Sequence, residues 1–429
     1  MVTTQKQNDA FVAKYLKRNI VVQLTQGLFG QTGFRLFAAP TFLPVYLYSL
    51  SGSEFVVGLA RSLEAVGQML TPMVGASLIG HRKKLLGITL TSSILMRLQM
   101  LFIALTGLFF GSTDFGLWLI IFFMVLLGIM QGISVVMMNS LRAKVIPVHR
   151  RGFVAGWRNF LSNGATAIIA YFAGGYLIDN NILGDGYAAL FLLAFFIASL
   201  GIIAFTFTKE PVGLELRKRE NIQQSFKSLK PLFRTNPHFS RFFLVTVLGS
   251  IGRMAMPFYI LFAGTRMELS GAMLGLLTTI WMLSGTVTNL LWGEIADRKG
   301  YRIVMVITLA MWILAHCQLL MIQEVYGVMV FFVVFGIAFS GFNQARMNMV
   351  LELGADADIP LRVAASNMAS NTVGAVGPLL GGLIVLAMGY EIIFIICIFV
   401  QTIALIVMLS SVPEPRLSEI KITEDNDVI

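Results

Sequence analysis

Apolar stretches of about 20 or more residues recur along the chain, separated by short polar joints. They fall near 20–48, 54–80, 85–109, 116–140, 153–178, 187–208, 241–263, 272–295, 303–323, 326–350, 363–388 and 391–411. Each can cross roughly 30 Å of hydrocarbon at about 1.5 Å of rise per residue. The pattern therefore predicts an all-α membrane protein with twelve transmembrane helices. One joint is longer than the rest: 209–240 carries Arg217-Lys218-Arg219-Glu220 and the helix-breaking Pro211, Pro231 and Pro237. It divides the sequence into an N-terminal six-helix bundle (1–208), a cytoplasmic linker (209–240), a C-terminal six-helix bundle (241–411) and a cytoplasmic tail (412–429).

Composition narrows the class. The chain is 56% hydrophobic and 13% charged, against roughly 25% charged for soluble domains, which excludes an ordinary cytosolic enzyme. Its formal charge of +10 is spread over separate short loops, a topology signal rather than a nucleic-acid surface. Arg82-Lys83-Lys84, Arg142, Lys144, Arg150, Arg151, segment 209–241 and Arg298, Lys299 and Arg302 all fall on one side of the predicted spans. By the positive-inside rule that side is cytoplasmic, so both termini are inside a plasma or inner membrane and anionic lipid headgroups are the partner of these loops. The polar N-terminus shows no cleavable signal pattern, so the first span is retained. Cys317 and Cys397 lie within apolar windows as small packing residues, and His81, His149, His238 and His316 lack metal-ligand spacing, so no metal or cofactor is expected.

The two halves echo each other. Leu43-Pro44-Val45-Tyr46-Leu47 in helix 1 matches Met256-Pro257-Phe258-Tyr259-Ile260 in helix 7. Gly67 and Gly75 match Gly285 and Gly293, Gly128 and Asn139 match Gly336 and Asn348, and Asn159 and Asn163 match Asn367 and Asn371. Four echoes in the same order indicate a duplicated six-helix unit.

Between windows eight and nine lies Gly293-Glu294-Ile295-Ala296-Asp297-Arg298-Lys299-Gly300-Tyr301-Arg302. Its G-x-x-A-D-R-x-G-x-R pattern resembles the signature loop of the major facilitator superfamily, in that family's position between helices 8 and 9. The resemblance implies two pseudo-symmetric six-helix bundles with helices 1, 4, 7 and 10 facing a central cavity, and alternating access to a midplane site. It also implies a gating role for Gly293, Asp297, Arg298, Gly300 and Arg302, with Asp297 capping a neighbouring helix. Plain positive-inside anchoring is the competing reading of the three cations. The N-terminal copy, from Gly75 to Lys84, has Ile79 where the family has aspartate. Gly377-Pro378-Leu379-Leu380-Gly381-Gly382 in helix 11 looks like the exporters' helix 5 motif, and close helix packing through small residues is the preferred reading.

Six arginines fall within predicted spans, namely Arg35, Arg61, Arg97, Arg158, Arg253 and Arg346, against one deep carboxylate, Glu64. Charges in a membrane are costly and mark function or paired networks. Arg61 and Glu64 share a helix face at i,i+3, and with Arg97 they form an expected structural cluster. Arg158 and Arg346 sit near helix ends, where snorkelling suffices. Arg35 and Arg253 lie mid-span in the equivalent helices 1 and 7, and guanidinium forks suit phosphate or carboxylate. The arrangement is similar to the superfamily's organophosphate exchangers; a structural role, with both arginines hydrogen-bonded to Gln31 and backbone carbonyls, is the competing reading. Gln31, Gln131, Asn343 and Asn348 are expected to line the same substrate cavity.

The sequence thus predicts a monomeric secondary transporter, not an enzyme, that moves a small-molecule substrate and uses a coupling ion or counter-solute. Its cargo is read as an organic or phosphorylated anion held by Arg35 and Arg253. A proton-coupled exporter of hydrophobic drugs or metabolites is the alternative, since 23 methionines and 34 phenylalanines suit apolar ligands. A polytopic membrane enzyme around Glu352, Asp356 and Asp358, or a transporter-like receptor, belongs to a different class. No G-x-x-x-x-G-K-[ST] occurs to supply nucleotide energy.

Overall fold

The computed structural model describes residues 2–80, 82–212, 231–322, 324–354 and 358–414. Ten helices among the described residues are long and apolar enough to cross a membrane, from Leu86–Phe110 to Tyr390–Ser411. Among the described residues no strand occurs. This follows from the sequence: within hydrocarbon a backbone must satisfy its own hydrogen bonds, and uninterrupted apolar runs do so as helices. Helix α6 (Leu86–Phe110), α7 (Asp114–Val145), α8 (Val148–Ala173) and α9 (Gly186–Thr206) complete the first half. In the second half α12 (Gly271–Lys299), α13 (Tyr301–Met321), α14 (Val325–Glu352), α15 (Ile359–Met388) and α16 (Tyr390–Ser411) match the expected windows within a few residues.

Three expected spans are broken. The first consists of α1 (Val2–Gln26), a π-helical turn (Gly27–Gln31), α2 (Thr32–Phe37) and, after an irregular joint, α3 (Phe42–Ser51). The second breaks at Thr71 into α4 (Glu54–Leu70) and α5 (Pro72–Ile79), because Pro72 lacks an amide hydrogen and suits only a helix's first turn. The seventh breaks between α10 (Pro237–Gly249) and α11 (Gly252–Gly264).

The chain divides into two compact units, Met1–Arg219 with Leu269–Thr279, and Glu220–Glu268 with Ile280–Ile429. In the first, α6 and α7, α4 and α7, and α6 and α9 are packed neighbours, and Asp179 accepts hydrogen bonds from the amides of Gly271 and Ala272 at the start of α12. In the second, α13 packs against α14 and α16, and α11 against α15. The Arg217–Glu220 charge run, His81, Asp356 and most of the expected tail lie outside the described residues.

Candidate functional site

The signature hairpin joins α12 to α13 through Gly300 alone, whose φ of +83° is a left-handed conformation that a side chain resists. Glu294 and Arg298 pair at 2.6 Å on the exposed face of α12, where such a pair contributes little. Arg302 has a structural task in unit two: its Nε donates to the Val412 carbonyl at 2.6 Å and its Nη2 to the Leu409 carbonyl at 2.8 Å. A cation there complements the negative end of α16. The Arg302 amide donates to Glu414 at 3.1 Å. Asp297 is exposed at the end of α12.

Unit one repeats this device with different residues. Glu210 accepts from the amides of Leu85 at 2.7 Å and Leu86 at 2.9 Å, filling the orphan donors at the start of α6, and pairs with Lys144 at 2.6 Å. The signal in the sequence is the Glu-Pro pair at 210–211, which recurs at 414–415. Each glutamate follows the last helix of its half and caps the third helix of that half. Arginine also closes helix ends. Arg151 donates to the carbonyls of Ile146 and Ala143 at the end of α7, and the fully buried Arg362 donates to those of Val350 and Leu351 at the end of α14.

The membrane arginines divide by partner. Arg61 Nη1 meets Glu64 Oε2 at 2.7 Å, and Glu64 Oε1 accepts from Gln68 at 3.2 Å. Gln68 in turn donates to Gln131 Oε1 at 2.6 Å. Arg97 takes other partners, the carbonyls of Ala198 at 2.8 Å and Ser93 at 3.0 Å.

Arg35 reaches from α2 to α8. It donates to Ser162 Oγ at 2.6 Å, to Asn159 Oδ1 at 3.2 Å and to Asn163 Oδ1. Arg253 reaches from α11 to α15 and donates to Ser370 Oγ at 2.9 Å and the Ser370 carbonyl at 3.2 Å. Arg346 meets the same helix at Ser366 and Asn367. The receiving residues share one pattern, Asn159-x-x-Ser162-Asn163 and Asn367-x-x-Ser370-Asn371. The serine at its centre is the part missing from the sequence reading. Among the described residues, no carboxylate lies within ion-pair distance of Arg35, Arg97, Arg142, Arg158, Arg253 or Arg346.

Of the other expected lining residues, Gln31 sits between Ser162 and Arg158; with its amide oxygen toward the guanidinium it accepts at 3.1 Å and 3.2 Å. Gln31, Gln131 and Arg35 line one cavity of about 310 Å³ in unit one. Asn343 and Asn348 in α14 donate to the carbonyls of Phe339 and Gln344 one turn back. Around Pro378, Gly377 and Gly381 let α15 approach the Met254 backbone of α11, which accounts for the glycines by packing. The described residues contain no metal-ligating cluster.

The profile described as Major Facilitator Superfamily matches residues 27–274 and 242–427. The chain belongs to the major facilitator superfamily. Solved structures share its fold. A variant of the nucleoside transporter NupG superposes with a TM-score of 0.73 at 13% identity, covering 91% of this chain and 99% of that one. The D-xylose-proton symporter gives 0.71 at 15%, covering 94% and 99%. The human organic anion transporter MFSD10 (TETRAN) gives 0.63 at 15%, covering 91% and 99%. No curated protein sequence matches the chain. As a member of this superfamily the chain is a multi-pass membrane transporter of small molecules.

Proposed function

We propose that this superfamily member moves a small organic or phosphorylated anion across the cytoplasmic membrane by alternating access, exchanging it for a second anion. The observation that carries this reading is the neutrality of the docks beneath Arg35 and Arg253. Asparagine, serine and backbone carbonyls orient each guanidinium without cancelling its charge. A positive charge left uncancelled in a low-dielectric span attracts an anion, and the fork geometry of arginine favours carboxylate or phosphate. Each unit supplies one such group. Exchange suits the chain because Glu64, its one deep carboxylate, is engaged by Arg61. A protein of the same fold carries organic anions, so the architecture accommodates that cargo.

Reconstitution into proteoliposomes tests the reading. Internal citrate or phosphate should accelerate uptake of the labelled anion, and uridine or xylose should not be taken up. Uptake of a neutral solute with no response to any anion would refute it.

The positive-inside pattern of the basic joints supports an orientation with both termini in the cytoplasm. Single cysteines introduced at Asp114 and Asp185 in a cysteine-free background should react with an impermeant maleimide on intact cells, and one at Lys299 only after lysis. The reverse pattern would invert the orientation.

A further inference from the structure

We propose that the cavity within unit one is an anion site built for a ligand with two or more negative charges, a multivalent oxyanion such as a polycarboxylate or a phosphate. This deepens the anion reading above and rests on it. Arg35 of α2, Arg97 of α6, Arg142 of α7 and Arg158 of α8 all line this space of about 310 Å³. Four helices thus each supply one guanidinium, and among the described residues no aspartate or glutamate lines the cavity. Arg158 stands within electrostatic range of both Arg35 and Arg142. Such like charges repel, an anion among them offsets that repulsion, and a singly charged one still leaves the four-arginine site with a net positive charge.

The guanidiniums are fixed, yet not saturated. Arg142 spends Nε on Gln23 at 3.3 Å and Nη1 on Asn139 at 3.0 Å. Arg97 spends Nε and Nη1 on backbone carbonyls. Arg158 is held by Gln31 through Nε and Nη2. Each therefore retains one terminal nitrogen with no acceptor among the described residues. The backbone is shaped to admit them. At the π turn a β-carbon on Gly27 would overlap the Arg158 stem, and one on Gly30 would press on Arg97 Nη2 at 3.0 Å. π turns of this kind concentrate at functional sites. Phe34 and Met96 supply apolar wall for a short carbon skeleton, and the volume lies at the small end of ligand pockets.

The experiment is calorimetric titration of the purified full-length protein at constant ionic strength with citrate, inorganic phosphate, acetate and nitrate. Citrate or phosphate should bind at least tenfold tighter than acetate and nitrate, and which of the two binds tighter separates the polycarboxylate from the phosphate source. Arg142→Gln and Arg158→Gln should each weaken that binding at least tenfold and shrink the preference over acetate. Equal affinity for single and multiple charges in the unaltered protein would overturn the proposal without recourse to a variant. So would unchanged citrate and phosphate affinity in both folded variants; if Arg253→Gln, which lies outside this cavity, then abolished binding, the anion reading would stand and this cavity's role would fall. Absence of binding by all four anions would overturn both.

Discussion

Replacing Arg61 with leucine is expected to cost up to about 3–5 kcal/mol of stability, the penalty for stranding one member of a buried ion pair. The Arg61 side chain is 24% exposed, which reduces the cost. Glu64 is only 3% exposed, and its carboxylate is held by Arg61 at 2.7 Å and Gln68 at 3.2 Å. With the guanidinium gone, the charge has an amide as its remaining partner in a low-dielectric span. The Arg61→Leu/Glu64→Leu double variant should recover most of the loss, because apolar side chains can replace a buried pair at little net cost. Thermal unfolding of the purified protein in detergent measures both. A single variant that unfolds with the unaltered protein, or a double variant as unstable as the single, would show that the pair does not support the fold. The same chain of contacts runs on from Gln68 to Gln131 at 2.6 Å, and so to the cavity wall.

The second large effect concerns Arg35→Lys and Arg253→Lys. Each charge-assisted hydrogen bond to an anion contributes roughly 1.5–3 kcal/mol, so each variant should bind an anionic solute about tenfold more weakly or worse. Lysine keeps the charge and loses the fork. An ammonium cannot hold Ser162 and Asn159 together and still present a planar pair of donors, as Arg35 can. Anion affinity of the two variants, with unfolding temperature as the control for the lost dock, is the measurement. Affinity equal to that of the unaltered protein in both would return weight to an apolar cargo held by Met and Phe contacts.

Much of the fold is legible in the sequence because a membrane leaves few choices. Apolar runs of spanning length must be helices, so the windows at 187–208 and 391–411 land on α9 and α16 within two residues. Breaks are less legible. Pro72 announces the end of α4 and Pro40 sits in the joint at 38–41, whereas the joint at Ser250-Ile251 holds no such residue. The site is legible in its charges and obscure in its partners. Arg35 and Arg253 stand out as cations in apolar text. Measured from the shared Pro-Tyr echo they are out of register, nine residues before Pro44 against four before Pro257. Nevertheless both reach the equivalent serine, Ser162 or Ser370. The irregular joint follows Arg35 in the first span and precedes Arg253 in the seventh, and this absorbs the difference. Arg142 is missed because the apolar window ends at residue 140, although α7 continues to Val145 and carries its guanidinium to the cavity. Arg158, near the same end of its helix, could satisfy itself by snorkelling; only the glycine opposite its stem reveals that it turns inward.

The π turn at Gly27–Gln31 has a consequence for anything that treats the first span as one regular cylinder. Such a turn accommodates one residue more than an α turn, and one residue corresponds to about 100° of rotation about the axis. A helical wheel drawn through α1 and α2 together therefore has two phases. Gln23, which meets Arg142, and Arg35, which meets Ser162, belong to different ones. Periodicity counted across that point, whether from sequence variation or from a scan of substitutions, slips by a quarter turn and more, and assigns one end of the span to the wrong face.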